Sequence, residues 1–433
     1  MRWKSLLSIA LVLLLAGCTQ RVDGSAKPTP GNPVIGFPLD RQLVPGWRAT
    51  PASLGLPPHT GLGYPIASDS HHAYFLTTCT TPCTKPVWLF GIDIHSGHSL
   101  FPPILIPDYP GYGGINCGQN GPSLIMCFAD DIVQRRLWVV ALNRHVVSYT
   151  GPTTLEWINT VLFATNPRGP SWLVAADPGK GLHGIGPHGE LTWFVPGDGS
   201  IRHWSFESGN SYAAPLAVQL ASRSDPAYRV ISVADGRDLT PSPPSNIKLK
   251  AAVVYPGGFA YQYESGREAG VLFYDTDGNL LADRQLAGTT LLDTKFLPIV
   301  LDRNIFRVFS PFGKELLTFP DHAGKTRFFL VAGPTFYQLL SGISTRERWQ
   351  MWNLDAGAKG PTCAFPLSVD YEGASGSIVL TNPGNGSSVV AADMSTCRQL
   401  WRLNERVGAL VRQVGDRLLV MDTDAITSME PPK

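Results

Sequence analysis

Short apolar runs recur along the chain, and each ends in a tight polar turn. Val87-Trp88-Leu89-Phe90, Leu137-Trp138-Val139-Val140 and Val271-Leu272-Phe273-Tyr274 are examples. They have strand length and are rich in β-branched and aromatic residues. No long stretch shows the spacing of an amphipathic helix. The turns share a pattern. A small polar residue opens most of them, where its side chain can hold backbone N–H groups, and Gly often follows, where φ must be positive. Anchors fall at Asp93, Asn143, Gly186, Ser232, Asp275, Ser310, Asn353 and Asp393. Their mean separation is about 43 residues, the length of a four-stranded propeller blade. The pattern predicts an all-β chain, a β-propeller of eight four-stranded blades, or seven if one anchor is miscounted. Residues 407–429 follow the last anchor too closely to make a whole blade. They are expected to join strands of the first repeat and close the ring, which removes exposed edges.

The N-terminus breaks the repeat. Arg2 and Lys4 precede an apolar run from Leu6 to Leu15, which ends in Leu15-Ala16-Gly17-Cys18. A bilayer span needs roughly 20 apolar residues, so this run reads as a signal peptide. Its end resembles a bacterial lipoprotein lipobox. That resemblance implies cleavage before Cys18 and lipid on its sulfur and new amino group. Residues 1–17 are then a signal peptide, and 18–33 are a lipidated cysteine with a polar Gly/Pro-rich tether, roughly 20 Å long by coil statistics. A Pro-rich segment occupies 34–60, the propeller 61–429 and a short tail 430–433. The expected location is the cell envelope, outside the cytoplasmic membrane and held to a membrane by lipid alone.

Composition narrows the function. A hydrophobic fraction of 43% excludes a disordered chain. Lys and Arg total 35 against 34 Asp and Glu, so a nucleic-acid partner is not expected. Without Arg2 and Lys4 the chain is still almost neutral, and electrostatic attraction to anionic lipid is not expected either. Besides Cys18 there are six cysteines: Cys79, Cys83, Cys117, Cys127, Cys363 and Cys397. An even number in an exported protein suggests disulfides. Sequence clustering favours 79–83, 117–127 and 363–397. The competing arrangement is a zinc site built from Cys79 and Cys83 with His71, His72, His95 and His98.

Two turns carry a further signal. Ala391-x-Asp393-x-x-Thr396-Cys397-Arg398-x-x-Trp401 resembles the tryptophan-docking motif of PQQ-type propellers, with Cys397 in its Gly place and Arg398 in its Lys place. Gly91-x-Asp93-x-x-Ser96-Gly97-His98-x-x-Phe101 is a second, weaker copy. The resemblance implies that Asp93, Phe101, Asp393 and Trp401 pack blade against blade and are structural. It does not extend to quinoprotein catalysis, because the chain has no adjacent Cys-Cys pair and no matching acidic constellation.

Other motifs fail on context. Gly184-x-Gly186-x-x-Gly189 matches a dinucleotide fingerprint, but a strand pattern follows it instead of a helix. Asp275-x-Asp277-Gly278 lacks the later Glu of a calcium loop. Ser245-x-x-Lys248 follows Pro241, Pro243 and Pro244 and does not open a helix. No catalytic residue, metal or cofactor is therefore assigned. The expected function is a non-catalytic, monomeric scaffold, tied to the membrane through Cys18 and binding an unidentified envelope protein through its propeller faces. Its fold-level likeness is to the propeller lipoprotein of the outer-membrane β-barrel assembly machine. The alternatives are a small-ligand or sugar-binding propeller and a degenerate PQQ-type dehydrogenase.

Overall fold

A computed structural model describes residues 34–433 except 64, 78–85, 107–114, 132–135, 157–160, 165–170, 205–215, 223–226, 287–288, 293–295, 322–327, 342–346, 366, 368–370, 383–387 and 405–408. Cys18, Cys79 and Cys83 lie outside the described residues, as do residues 1–33, where a signal peptide and tether are expected. Among the described residues the chain is all-β, and its antiparallel sheets form a propeller. The first sheet takes the strands Pro65–Ser68, His72–Leu76, Val87–Asp93 and Ile104–Ile106 in sequence order. Seven further sheets follow as consecutive meanders over 115–156, 161–196, 203–232, 248–285, 289–320, 329–363 and 371–404. The eight anchors sit at the ends of the third strands of these eight sheets.

A ninth sheet closes the ring. Leu410–Val414, Arg417–Met421 and Ile426–Glu430 supply three strands, and Val44–Ala49 supplies the fourth by pairing with Ile426–Glu430. The C-terminal segment therefore pairs with a strand from within 34–60 and not with the first repeat. The sheets begin before residue 61. This sheet has no anchor because no covalent turn joins its third and fourth strands.

Eight of the sheets have four strands, and the sheet over 203–232 has three among the described residues. There the chain begins a fourth strand. Leu239 N donates to Val230 O at 2.8 Å and Asp238 bridges Ile231. Pro241, Pro243 and Pro244 then remove donors, and the ladder stops.

The core is divided into nine clusters, each shared by two neighbouring sheets. Alternation along each strand sends successive side chains to opposite clusters. Ala73 and Phe75 face the closing sheet, while Tyr74 faces the second. Leu173 and Ala175 face the second sheet, while Val174 and Ala176 face the fourth. Burial on both faces explains why these strands read as continuous apolar runs rather than as an apolar–polar alternation. Removal of residues 34–49 should strip the outer strand and expose the last seam. We expect the truncated chain to lose cooperative thermal unfolding, followed by circular dichroism. A truncated chain that melts like the intact one would contradict the closure.

Candidate functional site

The turns are held by their own carboxylates. Asp93 Oδ1 accepts from His95 N and Ser96 N, both at 2.9 Å. Asp393 accepts from Ser395 N, Ser395 Oγ, Thr396 Oγ1 and Ser377 Oγ at 2.7–2.9 Å. Burial alone raises both carboxyls, but these hydrogen bonds outweigh it and hold both below the ordinary Asp range. Asp275 follows the same pattern, accepting from Asp277 N and Asn279 N. Its fragment of a calcium loop is thus a self-capped turn. Gly186 N donates to Glu190 O, and Gly189 takes a φ of 75°, so the glycine fingerprint is a hairpin turn. Lys248 opens a strand, which leaves Ser245 in the turn before it.

Each turn receives the outer strand of the preceding sheet. Trp193, on an outer strand, stacks on Gly236 of the next sheet's turn. Trp47, on the ring-closing strand Val44–Ala49, covers Gly97 and donates from Nε1 to Ile94 O at 3.1 Å. Gly97 has a φ of 73°, and a Cβ there would fall 2.4 Å from the Trp47 ring. Trp401 is 7% exposed, between the eighth sheet and the closing sheet. The turn it would meet is the one split between the chain ends. Leu39 O supplies the acceptor, 2.8 Å from Trp401 Nε1. Phe101 is buried between the first and second sheets.

At one seam the contact is covalent. Cys397 has a positive φ of 57°, in the place of the motif glycine. It is bonded to Cys363 on the outer strand of the seventh sheet. Cys117 is bonded to Cys127, its cross-strand partner within the second sheet.

The densest group of titratable side chains lies where the closing, first and second sheets meet. Asp69 Oδ1 accepts from His71 N and His72 N, and Oδ2 lies 3.1 Å from His72 Nδ1. The His72 and His145 ring centroids are 5.0 Å apart, and His145 Nε2 is 2.9 Å from Tyr74 Oη. Burial pushes the His145 imidazole below its ordinary value, His72 adds to the shift, and Asp69 opposes it. His95 lies 5.3 Å from His71 between ring centroids. Its Nε2 is 3.0 Å from Ser70 O, a carbonyl that can only accept. Its Nδ1 accepts from Arg417 Nε and Nη2 at 3.0 and 2.8 Å. The ring ties the first sheet to the closing sheet.

Of the zinc ligands considered from sequence, His71, His72 and His95 converge. Among the described residues no group of three or more His, Cys, Asp or Glu is arranged to hold a metal ion. Sequence reasoning passed over Trp47, Leu39, His145 and Arg417. The one available signal was that a closed ring must borrow an outer strand from the other terminus.

The family comparison agrees with the nine-sheet ring. The model of a conjugation-associated nine-bladed β-propeller domain matches residues 20–432. An uncharacterized protein of Mycolicibacterium smegmatis (strain MKD8) is 29% identical over 411 residues, covering 89% of this chain and 83% of that protein. Among solved structures, the chain has a distant similarity to a computationally designed protein, Ika8, at 10% identity and a TM-score of 0.39, covering 86% of this chain and 97% of that one. It has a similarly distant likeness to BamB from Moraxella catarrhalis, at 11% identity and a TM-score of 0.35, covering 90% and 98%.

Two outcomes test the seams. Trp401→Ala should cost about 3–5 kcal/mol in denaturant unfolding, as buried aromatics do. The disulfide Cys363–Cys397 closes a loop with a separation of 34 residues. Cys363→Ser with Cys397→Ser should cost up to about 4 kcal/mol in the chain-entropy model. The depressed Asp93 and Asp393 carboxyls give a pH test. A folded value below the unfolded one stabilises fully above the unfolded Asp value of about 3.9 and is lost as pH falls through the folded value. Asp93→Asn with Asp393→Asn should flatten that acid limb in pH-dependent unfolding.

Proposed function

The chain belongs to the conjugation-associated nine-bladed β-propeller family, and from that premise we propose that it is a non-catalytic envelope scaffold, anchored by lipid on Cys18. It would bind a protein partner of a conjugation-associated assembly through its propeller faces. The observation that carries the reading is how the polar side chains of the turns are used. Asp93 and Asp393 bond within their own turns and Arg417 bonds to His95 across two sheets, so the polar chemistry of these turns goes into holding the ring rigid. A rigid ring keeps its loops in fixed relative positions, which suits recognition of a folded partner.

Crosslinking in the native envelope tests the partner. The expected result is capture of a component of the conjugation apparatus, retained in Trp401→Phe and lost when face loops are replaced. Crosslinks confined to copies of the chain itself, or turnover of a small molecule by the purified protein, would refute the scaffold. Anchoring has its own test. Metabolic lipid labelling should vanish in Cys18→Ala, and labelling that persists would refute lipid at that cysteine.

A further inference from the structure

We infer that the propeller face formed by the turns between first and second strands and between third and fourth strands is the one that lies against the lipid bilayer. This rests on the reading of Cys18 as the lipidated residue. The first described residues run across that face. Val34 lies against Gly333, in the inner turn of the seventh sheet. Ile35 N donates to Ala374 O at 2.7 Å, beside the inner turn of the eighth sheet. Gly36 N donates to Asp416 O at 2.9 Å, in the inner turn of the closing sheet. Leu39 and Leu43 then sink into the seam on the way to the strand at Val44. The chain thus enters the fold on this face, beside the innermost strands.

Reach decides the orientation. The residues from Cys18 to Pro33 span roughly 55 Å if fully extended, but only about 20 Å as a coil. To bring the opposite face to the membrane, they must cross three strand spacings, roughly 15 Å, then pass the outer side chains and descend a strand length of roughly 20 Å. That path takes most of the extended length, and drawing a chain so straight is entropically costly. The near face needs no such extension.

Apolar side chains mark the same face. Val44, Val146, Leu191, Leu280 and Phe312 are exposed. The first four begin outer strands, and Phe312 lies in the turn before one. They belong to the closing, second, third, fifth and sixth sheets, so they are spread around the rim of one face. Single apolar residues arranged this way can dip into the headgroup boundary without a large patch. These five side chains carry no charge, so the contact they make is apolar. It should therefore survive in zwitterionic lipid and in high salt.

The test uses the lipidated mature protein in phosphatidylcholine nanodiscs, compared by hydrogen–deuterium exchange with the soluble Cys18→Ala protein. Amides at 144–147, 189–191, 278–281 and 311–313 should exchange more slowly in the nanodisc at both low and high salt. The protection should disappear in a variant combining Val146→Asp, Leu191→Asp, Leu280→Asp and Phe312→Asp, whose circular dichroism should match the parent. Protection confined to the opposite face, around Ile305 and Phe328, would overturn the inference. So would unchanged exchange in a protein that carries its lipid, or protection that appears only after envelope protein is added. Mass spectrometry separates the two failures. A protein without lipid on Cys18 refutes the anchor and the orientation together, whereas a lipidated protein with unprotected turns refutes the orientation alone.

Discussion

A sheet that is apolar on both faces cannot be the last in a stack. Every sheet here sends alternate side chains to two neighbours, as Val379 and Leu380 do to the seventh and closing sheets. An open row of such sheets would leave two apolar faces in water, at a cost set by their area. Closing the row into a ring removes both ends at once. The docking turns, the disulfide between Cys363 and Cys397, and the borrowed strand Val44–Ala49 all serve that closure.

The seams show how one geometric need can be met by different chemistry. An outer strand must be held against the next sheet's turn. Trp47 and Trp193 do this by stacking on a glycine whose missing Cβ makes room. Trp401 does it by donating to Leu39 O, because the turn it faces is divided between the chain ends. Cys363 does it with a covalent bond to a residue in the glycine's place. Around the His95–Arg417 contact, polar groups do the equivalent work between the first and closing sheets.

The fold was legible in the sequence where each repeat carries its own turn. Asp93, Asp275 and Asp393 stand at a regular interval because each caps a turn between third and fourth strands. Among the described residues there are eight such turns, and the ninth sheet has none, so counting anchors stops at eight while nine sheets form the ring. Trp47 lies in a Pro-rich stretch with no anchor before it, and nothing local distinguishes it from an irregular segment. The histidine group was half visible. His71, His72 and His95 stand close in sequence, but His145 comes from the next sheet by stacking and Arg417 from the closing sheet by ring closure. Contacts made across the seam between chain ends leave no trace in local spacing.

The division of the ninth sheet between the two ends of the chain also sets an order of events. Val44 pairs with Glu430, and Trp47 N donates to Ser428 Oγ across 381 positions of sequence. A chain made from its N-terminus can build one meander after another, since those contacts are local. It cannot seat residues 44–49 until residues 426–430 have been synthesised. Folding should thus divide into fast local assembly of sheets and one late step of high contact order. During that interval the first and eighth sheets each present a bare apolar face. A partly made chain would be most prone to aggregation there, and the strand Ile426–Glu430 would end that exposure.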